Sequence, residues 1–251
     1  MICAENLSVK DTSFGKFYIL PNDLICASIK DTGSWDWHLI SAMQTLSAGQ
    51  HAIDAGANVG FFTILLANRG VTVEAFEPCS VVDLLKDNVE LNGVQDLVHV
   101  HKTALYDSEV QLQLDKEHWP GYQLREDGEL AYENAACTGQ MVLKPGGQGP
   151  YTVMARTIDS YRFDDIALIK VDVQGCDLRV LKGARETILR SKPLLCYEFE
   201  SPLAPVHGES FESYGQFLEE IGYRVHSVFY PDSNRPDEYS DFVAVPKSEE
   251  R

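Results

Sequence analysis

The stretch Asp54-Ala-Gly-Ala-Asn-Val-Gly60 brings together a carboxylate, two glycines and an asparagine between an apolar run and an amphipathic one. Gly56 permits a tight strand-to-helix turn, and Gly60 lets a ligand or a neighbouring chain approach the backbone. Amides at the start of a helix attract negative ligand groups. The spacing D-x-G-x-x-x-G differs from the G-x-G-x-x-G fingerprint of nicotinamide and flavin sites. Twenty-one residues after Gly56, "EAFEP" ends an apolar run with Glu77. An acid there can accept both hydroxyls of a ribose, so a nucleoside-bearing ligand suits both features. No Walker lysine follows the glycines. The expected ligand is therefore S-adenosylmethionine, whose amino acid end needs backbone donors and a carboxylate near its ammonium, here Asp54.

A second stretch, "IKVDVQG" (169–175), alternates Ile169, Val171 and Val173 with Lys170, Asp172 and Gln174. Strands between helices in a parallel sheet are ordinarily apolar on both faces, so this polar row needs solvent or a ligand. Lys170 stands one pleat below Asp172, within expected reach of Asp172 or of Glu198. Glu198, near the end of "PLLCYEFE" (193–200), is expected at the same crevice and Glu200 at its rim. His99 and His101 alternate on a strand, and His38 sits in an N-terminal helix. His207, in the loop "PLAPVHGES", is the histidine expected to act as an acceptor-side base. Trp35, Trp37, Trp119 and Tyr122 can supply an apolar wall, although helical register favours simple packing for Trp35.

These residues need elements to hold them. From residue 50 strand-length and helix-length patterns alternate: strands at 51–56 and 71–78, helices at 58–70 and 80–93, and a strand at 97–107. Such alternation builds a parallel sheet covered by helices. Between 108 and 161 it breaks into turns and short strands, which marks an insertion. It resumes with a strand at 166–175, a helix at 177–191, a strand at 193–200 and a helix at 212–223. Two closing strands with only a loop between them predict an antiparallel hairpin at one edge. Ahead of the core, 34–46 places Trp35, Leu39, Met43 and Leu46 on one helical face with Ser34 as cap and Asp36 in the first turn. The expected architecture is one domain over 1–251, with a cap region at 1–48 and the insertion shaping an acceptor pocket.

Composition excludes several classes. The 251 residues carry a formal net charge of −17, which opposes binding to nucleic acid or an anionic membrane surface. The six cysteines, at 3, 26, 79, 137, 176 and 196, form no C-x-x-C pair and no ligand spacing with histidine. The start lacks a basic-then-apolar leader, and no run reaches the ~18 apolar residues of a spanning helix. The expectation is a cytoplasmic protein with reduced thiols, a small-molecule partner and no bound metal. Oligomeric state is not readable.

In "IDAGANVGFFT" (53–63), "VEAFEP" (73–78), "ALYD" (104–107), "RTIDSY" (156–161) and "LIKVDVQGCDLRVLKGARETI" (168–188), the chain resembles the FkbM-type methyltransferases. The resemblance runs from about residue 33 to the strand ending at Glu200. It implies the α/β class I methyltransferase fold, Rossmann-like, with a mostly parallel seven-stranded sheet, helices on both faces and an antiparallel C-terminal hairpin. It also implies methyl transfer from S-adenosylmethionine, most often to a hydroxyl of a sugar or similar metabolite. Cofactor binding is carried onto Asp54, Gly56, Ala57, Asn58, Gly60, Glu77 and Pro78, with adenine near Ala104 and Leu105. Asp172 faces the sulfonium and the acceptor, as base or orienting group, with Lys170, Glu198 and His207 as further catalytic candidates. The chain departs from the family in having Gln174 where glutamate usually precedes the glycine. Gln174 accepts a hydrogen bond but supplies no anion. Three rivals remain at this stage: a magnesium ion held by Asp172 and Glu198 on an acceptor diol, a non-catalytic cofactor-binding protein, and, weakest, a nicotinamide enzyme.

Overall fold

The structure is a computed structural model, which describes residues 7–115, 117, 141–228 and 239–247. In chain order the elements are β1 (Ser8–Asp11), β2 (Lys16–Ile19), α1 (Leu24–Thr32), α2 (Trp37–Met43), β3 (His51–Ala55), α3 (Phe61–Ala67), β4 (Thr72–Phe76), α4 (Val82–Asn92) and β5 (Val98–His101). Then come β6 (Ala104–Leu105), β7 (Gln111–Leu114), β8 (Leu143–Lys144), β9 (Thr152–Arg156), β10 (Ile166–Val171), α5 (Asp177–Lys182) and α6 (Arg185–Ser191). The chain closes with β11 (Leu194–Glu200), α7 (Phe211–Glu220), β12 (Tyr223–Ser227) and β13 (Tyr239–Pro246).

The main sheet has seven strands in the order β12-β13-β11-β10-β3-β4-β5. The five strands from β11 to β5 run parallel, and β13 is antiparallel to both β11 and β12. The period-two alternation sorts each strand between two cores. Ala52, Val73, Ala75, Leu168 and Cys196 join a cluster with α1 to α4. Ile53, Phe76, Ile169, Val171, Leu195 and Tyr197 join another with α5 to α7. The sheet is thus covered on both faces, as the class I fold requires. The insertion forms a small sheet in the order β6-β9-β7-β8, which takes up the Ala104-Leu105 end of the expected third strand.

Several boundaries differ from the sequence reading. The helix expected over 177–191 is two helices, because Gly183 lies against the backbone carbonyl of Tyr106; a Cβ there would stand 2.1 Å from that oxygen. The cap helix begins at Trp37, with Asp36 in the left-handed region at φ 38°, so neither Ser34 nor Trp35 belongs to it. Two features carried no strong pattern. One is α1, whose N-cap Asp23 accepts from the Cys26 amide at 2.8 Å. The other is the β1-β2 hairpin, which docks on α4 where Asn88 and Asn92 accept the amides of Tyr18 and Lys16, each at 2.8 Å.

Cys26, Cys79, Cys176 and Cys196 are free and buried, and burial pushes the Cys26 and Cys196 thiols up to about 12. They serve as small hydrophobes. Cys3, Cys137, Trp119 and Tyr122 lie outside the described residues. Among the described residues no helix is long and apolar enough to cross a membrane.

Candidate active site

A cavity of about 290 Å³ opens at the carboxyl ends of β3, β4, β10 and β11. Open α/β sheets bind ligands in this crevice. Its wall combines Glu77, Pro78, Ala104 and Leu105 with the acids Asp36, Asp172, Glu198 and Glu200, and Gly56, Asn58 and Gln174 also line it. The N-terminal segment adds Leu24, Ile25 and Trp35, and the insertion adds Leu112, Met141 and Leu143.

The turn after β3 explains the glycine pattern. Gly56 has φ +77°, and a Cβ on it would stand 1.8 Å from the Asp172 carbonyl oxygen. Only glycine fits between these adjoining strand ends. Gly60, at φ +91°, is shaped by packing, since a Cβ there would meet Leu85 at 2.4 Å. It does not line the cavity, and neither does Ala57.

Most of the turn's amides are already engaged. Gly56 and Ala57 both donate to the Phe76 carbonyl at 3.0 Å, and Val59 donates to Asn58 Oδ1 at 2.8 Å. Asn58 N donates to Glu77 Oε2 at 3.1 Å, and Cys79 N to Glu77 Oε1 at 2.9 Å. The turn therefore organises Glu77 more than it offers free donors to an anion. Burial pushes the Glu77 carboxyl up to about 7, against the lowering effect of its two backbone donors.

Beneath the turn lies a buried charge cluster. Lys170, 3% exposed, donates to the Gly56 carbonyl at 3.0 Å and pairs with Asp54 at 3.2 Å and Asp172 at 3.3 Å. Burial opposes its charge, but Asp172 and Asp54 outweigh that and raise its pKa. Asp54 is 1% exposed and accepts from the Thr63 hydroxyl at 2.6 Å. Neither Lys170 nor Asp54 lines the cavity, and Asp54 stands under the turn. Asp172 does line it, with its amide donating to the Ala55 carbonyl at 3.1 Å.

Three further placements depart from the sequence reading. The polar row ends at Asp172, because β10 stops at Val171 and Gln174 enters the left-handed region at φ 58° ahead of Gly175 at φ 81°. Val173 and Gln174 therefore both reach the cavity wall, and the Gln174 Oε1 atom is buried without a partner. Glu200 is 2% exposed and on the wall rather than at a rim, since β11 continues through it and it shares a face with Glu198. His207 does not reach the cavity. It is 5% exposed, 3.4 Å from the Tyr106 hydroxyl through Nδ1, and its carbonyl accepts from Arg179 at 2.7 Å. Burial and then Arg179 lower its pKa to about 4. The imidazole is thus enclosed and away from the cavity.

The remaining aromatic and histidine candidates divide similarly. Trp35 is on the wall, whereas Trp37 is 71% exposed and off it. His99 and His101 turn to Glu74 on the β4 strand, at 2.7 and 2.6 Å, with His51 at 3.2 Å. His38 pairs with Asp241. Among the described residues no group of three or more His, Cys, Asp or Glu side chains is arranged to hold a metal ion.

Sequence reasoning missed Asp36 as a wall residue by reading it as a helix-dipole acid. Its carboxyl is pushed up to about 7, by burial first and then by Asp172 and Asp241. Glu198 is raised well above the carboxylate range by burial and by Asp172 and Glu200, and Glu200 to about 9 by burial, Asp177 and Asp172.

The family model for the methyltransferase FkbM domain matches residues 54–225. A search of curated proteins gives no match. A solved methyltransferase FkbM from Methylobacillus flagellatus KT superposes with TM-score 0.52 at 17% identity, covering 80% of this chain and 44% of that one. The chain thus spans less than half of that protein's length. Precorrin-6y C5,15-methyltransferase from Geobacter metallireducens GS-15 gives TM-score 0.47 at 12% identity, covering 84% of this chain and 86% of that one. The tRNA (uracil-54, C5)-methyltransferase of Pyrococcus abyssi gives 0.49 at 16%, covering 95% and 43%. With more than half of its length matched by the family model, the chain belongs to the FkbM methyltransferase family.

Proposed function

We propose that this protein is an S-adenosylmethionine-dependent methyltransferase that methylates a hydroxyl of a small metabolite such as a sugar. The observation that carries the reading is one cavity joining Glu77 and the Gly56 turn to Asp172. Glu77 is the ribose acceptor, held by two backbone amides, and Pro78, Ala104 and Leu105 form the adenine surface. When bound, S-adenosylmethionine supplies an electrophilic methyl group on positively charged sulfur.

Methyl transfer needs an acceptor oxygen aligned with that methyl and relieved of its proton. Asp172 is the group for this task, as base or as hydrogen-bond acceptor that orients the hydroxyl. Lys170 fixes Asp172 from below and acts as a positioning residue. Glu198, pushed upward by burial and then by its acidic neighbours, is a further carboxyl on the same wall. The N-terminal segment and the insertion enclose the acceptor with Trp35 and Met141 and limit water. Free, buried thiols suit a cytoplasmic location.

Calorimetric titration with S-adenosylhomocysteine, with NAD as control, tests the cofactor. Binding of NAD alone would refute the reading. Asp172→Asn tests the chemistry: it should keep S-adenosylhomocysteine binding while losing transfer of labelled methyl. Normal turnover by that variant would remove Asp172 from the mechanism.

A further inference from the structure

Four carboxylates, Asp36, Asp172, Glu198 and Glu200, line the cavity, with Asp241 and Asp177 close behind them. Among the described residues two basic groups stand near them, Lys170 and His38. Lys170 is bound to Asp54 and Asp172, and His38 to Asp241. Among the described residues Asp36, Glu198 and Glu200 make no ion pair.

Two polar atoms on this wall await a donor. Glu200 is 2% exposed and its Oε2 atom has no hydrogen-bond partner; Gln174 Oε1 is likewise buried and unpartnered. Both residues are on the cavity wall. A buried polar atom without a partner costs about 1–3 kcal/mol, more when charged, so the wall calls for an occupant that brings donors. With Glu200 as carboxylate, both unpartnered atoms are acceptors, and an occupant with N–H donors serves both. The methyl donor brings a sulfonium, an ammonium and a carboxylate, a net single positive charge, which is too little for this number of acids.

We propose that the acceptor carries a protonated amine near its reacting hydroxyl, as an amino sugar or amino alcohol does, and that Glu198, Glu200 and Gln174 receive that ammonium. This rests on the methyltransferase reading and specifies its acceptor. A primary ammonium has three N–H donors and one positive charge, matching two carboxylates and one amide oxygen. With the amine held there, the neighbouring hydroxyl is left for Asp172. The upward-shifted Glu198 and Glu200 carboxyls fit the same picture, since like charges packed together without their counter-cation hold protons until one arrives.

The test uses protein saturated with S-adenosylhomocysteine and three matched pairs of probes: glucosamine and glucose, ethanolammonium and ethylene glycol, cyclohexylammonium and cyclohexanol. Calorimetry at pH 8 should show at least one ammonium binding about tenfold or more tightly than its neutral isostere, the scale of one charge-assisted hydrogen bond. In E198Q/E200Q that preference should collapse, and in Q174E it should grow while the neutral probes are unaffected. Converting these acids to amides removes mutual repulsion, and thermal unfolding checks that the variants are folded. Absence of any ammonium preference, including no binding by any probe, overturns the proposal, as does a preference that survives E198Q/E200Q and ignores Q174E. Loss of the cofactor reading registers separately, as failure of S-adenosylhomocysteine to bind in the preceding titration.

Discussion

Replacing Lys170 by methionine separates a positioning role from a chemical one. The ammonium lies 3.2 Å from Asp54 and 3.3 Å from Asp172, and each contact is worth about 5 kcal/mol of Coulomb energy at an effective dielectric of ~20. Much of that offsets the cost of burying the three charges. What the substitution exposes is the uncompensated Asp54, which is 1% exposed and cannot turn to water. Breaking a buried pair on one side costs about 3–5 kcal/mol, which for a chain of this size lowers Tm by on the order of 10 °C. The Gly56 carbonyl also loses its 3.0 Å donor, so the turn beneath the cofactor should loosen.

The assay is a double-mutant cycle read by thermal unfolding and by S-adenosylhomocysteine calorimetry, with K170M, D54N and the pair. If Lys170 acts by neutralising Asp54, D54N should recover much of the stability lost in K170M, because the asparagine leaves no orphaned charge. Cofactor affinity should fall in K170M and recover in step. Two results would refute the reasoning: a K170M protein with wild-type Tm and affinity but no methyl transfer, which would make Lys170 a direct participant, or additive losses in the pair.

Other consequences follow from the same geometry. Glu77→Gln should weaken S-adenosylhomocysteine by about 10- to 100-fold, the worth of a hydrogen bond to a charged group, and should also lower Tm, because the Asn58 and Cys79 amides then share a single acceptor oxygen; equal affinity would remove Glu77 from the site. Because the Glu77 carboxyl sits near 7, wild-type affinity should fall as pH drops from 8 to 6, and Glu77→Gln should flatten that profile. His207→Gln should retain wild-type turnover while losing stability, and loss of turnover at full Tm would restore His207 as a base. Glu74 is buried, which alone would raise its pKa, but hydrogen bonds from His101, His51 and His99 lower it below the ordinary 4.5. Its stabilisation is present above pH 4.5 and is lost as pH falls further, so Glu74→Gln should show a shallower decline of Tm with acid. Parallel acid profiles for the two proteins would sink that account.

What the sequence made legible was whatever a periodic element dictates. The alternation of 51–55, 72–76 and 166–171 is a backbone constraint, and it sends Lys170, Asp172 and Glu198 to one face before any contact is known. The positions misread lie where regularity stops. Gln174 was placed on the row by extending period two past Val171, and a left-handed residue ahead of a glycine carries no hydrophobic signature. Trp35 was misread by extending a helix one turn early, across Asp36 at φ 38°. His207 sits in a loop that folds inward onto Tyr106, a tertiary choice with no local pattern. One signal was available and went unused: Pro21-Asn22-Asp23 ahead of an apolar run is a helix start, and it marks α1, which supplies Leu24 and Ile25 to the cavity.

The errors share a direction, and it bears on the acceptor. Glu200 and Asp36 were assigned to rim and dipole, and both line the cavity, to which the expected polar row also brings Gln174. Isolated acids are read from sequence as solvated, because buried carboxylates are rare and costly. A chain that nonetheless buries Glu200 at 2% exposure, with an unpartnered oxygen beside three other acids, carries a stability cost that an occupant bringing both donors and positive charge offsets best. Family membership accounts for the Gly56 turn, Glu77 and Asp172. The glutamine among the wall acids is where the chain departs from the family pattern. Placing Gln174 rather than a further carboxylate beside Glu198 and Glu200 keeps an acceptor for N–H while sparing one more mutual repulsion, which is the balance a single ammonium requires.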